Sequence, residues 1–278
     1  LYGLTRDIFY PIPDKIIVHK PSFEFDNSKR TWHTLKTLWF LRKIIIEIHP
    51  DTILSFGELW NNFVLLATLG LKYPVFVSDR CQPDKSLGKF HNRLRKLLYP
   101  KATGVICQTE VAKNIYIKMF YHTNLVVIGN PIREIESNNA RKQENIILSV
   151  GRLIQSKNHD ELIKIFSQID AHDWKLIIVG DDALNQKNMK RLKKLVHDLG
   201  IDNRVELTGT RMNVETFYIR AKIFAFTSSS EGFPNVVLEA LTCGTPVIAT
   251  PAPGGVQDIL YGLDGCTVTE SISSQALA

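Results

Sequence analysis

The residue types best suited to chemistry gather at two places in the second half of the chain. An apolar run at residues 146–150 (IILSV) leads directly into Gly151-Arg152-Leu153, and Lys157 follows before a helical pattern begins. Glycine at a strand end lets a ligand or another backbone approach closely. Arginine and lysine beside it suit a diphosphate, the guanidinium as a planar fork and the ammonium as a point charge. A solvated basic loop uses the same residue types, so this stretch alone leaves both readings open. The second place is residues 228–235 (SSSEGFPN), which follow another apolar run and open the stretch VVLEAL. Ser, Gly, Pro and Asn suit a tight loop and a helix start. Backbone N–H groups at such a start attract anions. Glu231 lies in this loop and Glu239 follows in the helix, so that one carboxylate could face a bound polyol while the other takes two ribose hydroxyls. Two acids at that spacing are also ordinary helix-start and surface residues.

Short β-branched runs and longer amphipathic stretches alternate along the whole chain and would position these side chains. In the first half, residues 51–56, 74–78, 104–108 and 124–128 predict strands. Residues 31–49, 58–69, 87–98 and 110–120 carry helical apolar spacing. In the second half the expected strands are 146–150, 174–179, 204–207, 223–227 and 246–249, with helices at 159–169, 188–199, 214–221 and 235–241. Strands that are apolar throughout and separated by helices imply parallel sheets covered on both faces. The expected fold is therefore α/β, two doubly wound Rossmann-like domains facing a cleft, with ligands beyond the carboxyl ends of the strands. The polar, aperiodic stretch 131–144 reads as the linker between domains 1–130 and 145–278.

Composition narrows the function classes. At 278 residues, 44% hydrophobic and 22% charged, the chain has enough apolar content for a sizeable core, which excludes disorder. The longest uncharged apolar stretch, residues 63–71, is far short of the roughly 20 residues that span a bilayer. Lys and Arg number 34 against 28 Asp and Glu, a formal +6 that favours anionic partners without choosing among them. Cys81, Cys107, Cys243 and Cys266 form no C-x-x-C pair and read as reduced thiols of a cytoplasmic protein. No G-x-G-x-x-G follows a strand, which speaks against a dinucleotide oxidoreductase. The basic residues are not interleaved with an aromatic platform, which speaks against nucleic acid as a partner.

The two loops occur in order within one α/β domain, and that combination resembles the retaining GT-B glycosyltransferases of the E-x7-E type, glycosyltransferase family 4, group 1. The resemblance is clear over residues 146–260 and weaker before them, with EGFPNVVLEAL its most specific piece. Gly180-Asp181, Gly209 and the Gly254-Gly255 turn before Asp258 also match. It implies that Arg152, Lys157 and Glu231 carry the chemistry, the two cations stabilising the leaving nucleoside diphosphate and Glu231 holding donor-sugar hydroxyls. It places Gly151, Gly232, Phe233, Pro234 and Asn235 around the sugar and phosphate, Glu239 on the ribose, and Thr210 and Arg211 near the base. No metal or other cofactor is implied, since cations and helix N–H groups neutralise the diphosphate. Asp181-Asp182 is therefore read as a strand-end turn.

The first half departs from the family pattern. Asp79 and Arg80 stand where an acid and a His or Arg are expected, and are candidates for an acceptor or donor contact or for a strand-end ion pair. The opening strand with its glycine-rich loop is expected before Leu1, and the closing helices after Ala278, so both ends read as clipped. The basic amphipathic stretch 89–101 is a candidate for contact with anionic lipid on the inner face of the plasma membrane. The expected partners are a nucleotide-sugar, a UDP-hexose or UDP-N-acetylhexosamine, and a glycan or lipid-linked acceptor of surface polysaccharide, lipopolysaccharide or capsule biosynthesis. A GT-B sugar-nucleotide epimerase and a non-catalytic nucleotide-sugar or lipid-binding module are the alternatives.

Overall fold

A computed structural model of the chain describes residues 11–132 and 143–271. Residues 1–10, most of the expected linker and the last seven residues lie outside that description. The chain divides into two compact units. One contains the residues up to Arg80, Lys85–Cys107 and Tyr116–Val126, and the other Cys81–Asp84, Gln108–Ile115 and everything from Val127 onward.

The first unit is built on a four-stranded parallel sheet in sequence order: β1 (Ile53–Phe56), β2 (Val75–Ser78), β3 (Gly104–Cys107) and β4 (Leu125–Val127). Helix α1 (Arg30–Ile48) precedes it, and α2 (Glu58–Ala67), α3 (Lys89–Leu98) and α4 (Glu110–Met119) make the crossovers. α1 stops where sequence chemistry says it should. His49 takes a left-handed conformation at φ 50°, its N–H returns to the Ile45 carbonyl, and Pro50 follows.

The second unit carries a six-stranded parallel sheet. Its strands are β5 (Glu144–Val150), β6 (Lys175–Val179), β7 (Val205–Leu207), β8 (Ala221–Phe226), β9 (Val247–Ala249) and β10 (Thr267–Val268). They are ordered β10-β9-β8-β5-β6-β7. The helices are α5 (His159–Gln168), α6 (Asn188–Asp198), α7 (Glu215–Arg220), α8 (Asn235–Thr242) and α9 (Val256–Leu260). Period-two alternation splits the central strands between two cores. Ile146, Leu148, Ile177 and Val179 pack with α7, α8 and α9. Ile147, Leu176 and Ile178 pack with α5 and α6. Helices therefore cover both faces, as apolar parallel strands require.

The expected strands and helices are all present, with ends shifted by a few residues. β5 begins at Glu144, inside the expected linker. α9 was not expected, because five residues after two glycines are too few to show a helical period.

Candidate functional site

Topology alone locates the site. From β5 the chain winds outward through β6 to β7, then returns to the other flank of β5 as β8. The carboxyl ends of β5 and β8 thus lie side by side at the point where the winding reverses, the crevice in which open α/β sheets bind ligands. β5 runs directly into Gly151-Arg152, and β8 into Thr227-Ser228.

The two loops are laced together. The Asn158 amide donates to the Thr227 carbonyl at 2.8 Å, and the Thr227 hydroxyl donates to the Lys157 carbonyl at 2.8 Å. The Ser229 N–H donates to the Ser156 carbonyl at 2.8 Å. These bonds fix residues 156–158 against 227–229 and carry two side chains into contact. The Lys157 ammonium donates to Oε1 of Glu231, and the buried Ser228 hydroxyl donates to the same oxygen at 2.7 Å. Both partners of the ion pair are mostly shielded, with side chains 15% and 17% exposed. Among the described residues no hydrogen bond engages Oε2, so that oxygen keeps its capacity to accept one.

Two glycines make this geometry possible. A Cβ on Gly151 would lie 3.3 Å from Cε of Lys157, so the bare glycine lets the lysine stem fold over the strand end. Gly254, at φ +116°, passes beneath the Glu231 loop so closely that a Cβ would stand 2.3 Å from the Glu231 carbonyl oxygen.

Arg152, directly after Gly151, is exposed and has no ion-pair partner among the described residues. Gly232 and Pro234 are buried, Phe233 is half-buried, and Asn235 accepts at 2.7 Å from the Asn130 amide. Not every N–H at the start of α8 is open to an anion. That of Asn235 goes to the Phe233 carbonyl and that of Val237 to the Pro234 carbonyl, each at 3.0 Å. Glu239 accepts at 2.9 Å from the Tyr218 hydroxyl. Burial, and next the Glu239 carboxylate, raise the Tyr218 pKa far above the usual phenol range, which keeps it a donor. Thr210 and Arg211 are exposed after β7, where the Gly209 carbonyl accepts from the Gly180 N–H at 3.0 Å.

Asp181 and Asp182 serve the fold. Asp182 accepts at 2.9 Å from the Met189 N–H in the first turn of α6, and the Asp181 carbonyl accepts from Leu153 N–H at 2.9 Å. Among the described residues no group of three or more His, Cys, Asp or Glu stands together as a metal site.

Sequence reading missed Ser228, Thr227, Asn158 and His159. The run TSSS directly after an apolar strand is the one available sign of the first two. His159 opens α5 with a buried ring whose Nδ1 has no hydrogen-bond partner among the described residues. Burial, and next the Lys157 charge, lower its pKa to about 4, so the ring is neutral at pH 7.

The first unit places its two candidates differently from a shared ligand contact. The Asp79 carboxylate is 4% exposed and its oxygens are taken within the unit. Arg95 reaches Oδ2 at 2.7 Å and the Tyr116 hydroxyl donates to it at 2.5 Å, while Oδ1 accepts from Asn61 at 2.8 Å and from Tyr99. Asp79 is thus a buried structural acid rather than a ligand contact, because four donors already surround it. Arg80 remains exposed, its guanidinium 4.3 Å from the Phe56 ring centroid and its N–H donated to Glu58 at 2.9 Å. The helix expected to face lipid, α3, has turned Arg95 inward to meet Asp79.

Comparison with known proteins accords with this geometry. Residues 130–278 match the family model described as glycosyl transferases group 1. The amylovoran biosynthesis glycosyltransferase AmsD of Erwinia amylovora is 29% identical over 274 residues, covering 94% of this chain and 74% of that protein. A GalNAc-alpha-(1->4)-GalNAc-alpha-(1->3)-diNAcBac-PP-undecaprenol alpha-1,4-N-acetyl-D-galactosaminyltransferase of Campylobacter jejuni is 27% identical over 91% of this chain and 70% of its own length. In fold, HepE of Anabaena, solved with UDP and glucose, superposes with TM-score 0.73 at 22% identity over 86% of this chain and 69% of that one. Sucrose-phosphate synthase of Thermosynechococcus elongatus gives 0.74 at 20% identity over 90% and 68%. The chain belongs to the group 1 glycosyl transferases and is a glycosyltransferase of GT-B fold.

Proposed function

We propose that this glycosyltransferase moves a hexose or N-acetylhexosamine from a UDP-sugar to a glycan or lipid-linked acceptor in surface polysaccharide biosynthesis, with retention of anomeric configuration and without a metal ion. The observation that carries the reading is Glu231. It is a shielded carboxylate at the β5–β8 reversal, with Oε1 held by Lys157 and Ser228 and Oε2 open. Eight residues along the chain, Glu239 is held by Tyr218 and supplies a second carboxylate for the ribose.

The chemistry follows from these charges. The bond between the anomeric carbon and the phosphate oxygen breaks, its electron pair leaving with the diphosphate. Arg152 and Lys157 stabilise that developing charge, where fixed cations have most effect. Glu231 holds sugar hydroxyls. The acceptor hydroxyl forms the new bond on the face the diphosphate leaves, and its proton passes to the departing phosphate oxygen. The names of the relatives, one an amylovoran biosynthesis enzyme and one acting on an undecaprenol-linked glycan, support the polysaccharide setting. We locate the enzyme in the cytoplasm, with peripheral contact of residues 89–101 on an anionic membrane.

The test is release of nucleoside diphosphate from a panel of nucleotide-sugars, with and without membrane extract and with and without EDTA. UDP release that needs extract and ignores EDTA is expected. No release from any nucleotide-sugar would favour a binding module. Interconversion of the free nucleotide-sugars would favour an epimerase.

A further inference from the structure

α1 is a 19-residue helix, about 28 Å long, whose outward face is unlike an ordinary solvated one. Thr37 and Ile45 mark its buried side. Opposite them, Trp32 is 65% exposed and Trp39 67%, with Leu35 and Ile46 exposed on the same stripe. Residues 32, 35, 39 and 46 repeat at helical spacing, so they form one continuous face. Lys36 and Lys43 border it. The Lys43 ammonium lies 5.9 Å from the Trp39 ring centroid and that of Lys36 lies 4.2 Å from Phe23. Glu47, paired with Lys43 at 3.5 Å in the open, is the acid beside them.

We infer that the outward face of α1 docks on an anionic bilayer, its two tryptophans entering the headgroup region and its lysines meeting lipid phosphates. Indole suits that depth because its body is apolar and its N–H still reaches water or a headgroup. Lysine stems lie along apolar surface while their heads stay in the polar layer. The charge is complementary to phosphate, and among the described residues no helix is long and apolar enough to cross a membrane, so the contact lies on the surface. α3, in the same unit, shows the same composition outward: Phe90 is 68% and Leu97 66% exposed beside Arg93 and Lys96. The inference deepens the peripheral membrane contact proposed above for residues 89–101, and rests on it, by adding α1 as the helix that anchors the unit.

The experiment is flotation with vesicles of phosphatidylcholine alone and with phosphatidylglycerol added, alongside UDP binding as a control for folding. Wild type should float with the anionic vesicles only, and added salt should weaken it. Trp32→Ala with Trp39→Ala should lower the partition coefficient at least tenfold, and Lys36→Gln with Lys43→Gln roughly twenty-fivefold, at about fivefold per charge. Trp60→Ala should change nothing. Binding that survives these changes but fails in Arg93→Glu with Lys96→Glu would overturn the role of α1 while keeping membrane contact through α3. A wild type that ignores anionic vesicles would overturn both. In a Trp60→Phe, Trp174→Phe background, indole emission already protected from acrylamide without vesicles would show the face covered by protein, and would also overturn the inference.

Discussion

Replacing Gly254 by alanine should displace Glu231, the carboxylate proposed to hold the sugar, without altering its side chain. The added Cβ would stand 2.3 Å from the Glu231 carbonyl oxygen, 2.9 Å from its carbon and 3.2 Å from the Gly232 oxygen. Real Cβ atoms do not approach closer than 3.0 Å, so the Glu231–Gly232 peptide must retreat by at least about 0.7 Å. That displacement separates Oε1 from Lys157 and Ser228, which now hold it at hydrogen-bond length. Misplacement on this scale costs roughly 100-fold in turnover. The φ of +116° adds about 1–2 kcal/mol of backbone strain. Gly262→Ala is the control, since its φ is +72° but nothing lies within 4 Å of its Cβ. It carries similar strain with no push on the site. The assay compares the melting temperature and the kcat/KM for nucleotide-sugar of the two variants. Gly262→Ala should lose a few degrees and keep its turnover, while Gly254→Ala should lose about two orders of magnitude in kcat/KM. Equal turnover in the two would refute the reasoning, because the loop would then tolerate the displacement.

Further outcomes follow from other parts of the structure. Ser228→Ala removes a hydrogen bond to a carboxylate, and a loss of about ten- to a hundredfold in kcat/KM is expected with UDP affinity unchanged. Arg95→Ala strands Asp79 as a buried, uncompensated charge and should cost about 3–5 kcal/mol of stability in denaturant titration, with part recovered when Asp79→Leu is added. His159 is held neutral in the fold with a pKa of about 4 against 6.5 for the free side chain, so the unfolded chain takes up the extra proton between those values. Its contribution is therefore complete above pH 6.5 and lost as pH falls toward 4, by up to about 3 kcal/mol, and His159→Leu should flatten that slope in thermal melts.

The sequence made the site legible where one side chain and its neighbours in the chain suffice. Apolar runs marked β5 and β8 because buried parallel strands have no polar face. Gly151, Lys157 and Glu231 were visible because each follows a strand end. Their convergence depends on the return from β7 to the far side of β5, which strand pattern alone does not order. Ser228 was hidden because loop serines are common, and only the lacing of residues 156–158 to 227–229 turns one toward Glu231. Arg95 shows the opposite failure. A cationic helix reads as solvated or lipid-facing, yet helical geometry places this residue on the same side as Leu98, turned inward, where Asp79, Tyr99 and Tyr116 await it. A long-range partner overrides the local preference of a charge for water.

The most direct test of Glu231 as the sugar-holding group is a calorimetric titration of wild type and Glu231→Gln with UDP and with the UDP-sugar that turns over. Glu231→Gln should bind UDP as wild type does, while the extra affinity that the sugar confers on wild type disappears. Loss of UDP binding together with unchanged sugar discrimination would contradict that role and move the donor sugar away from the β5–β8 reversal.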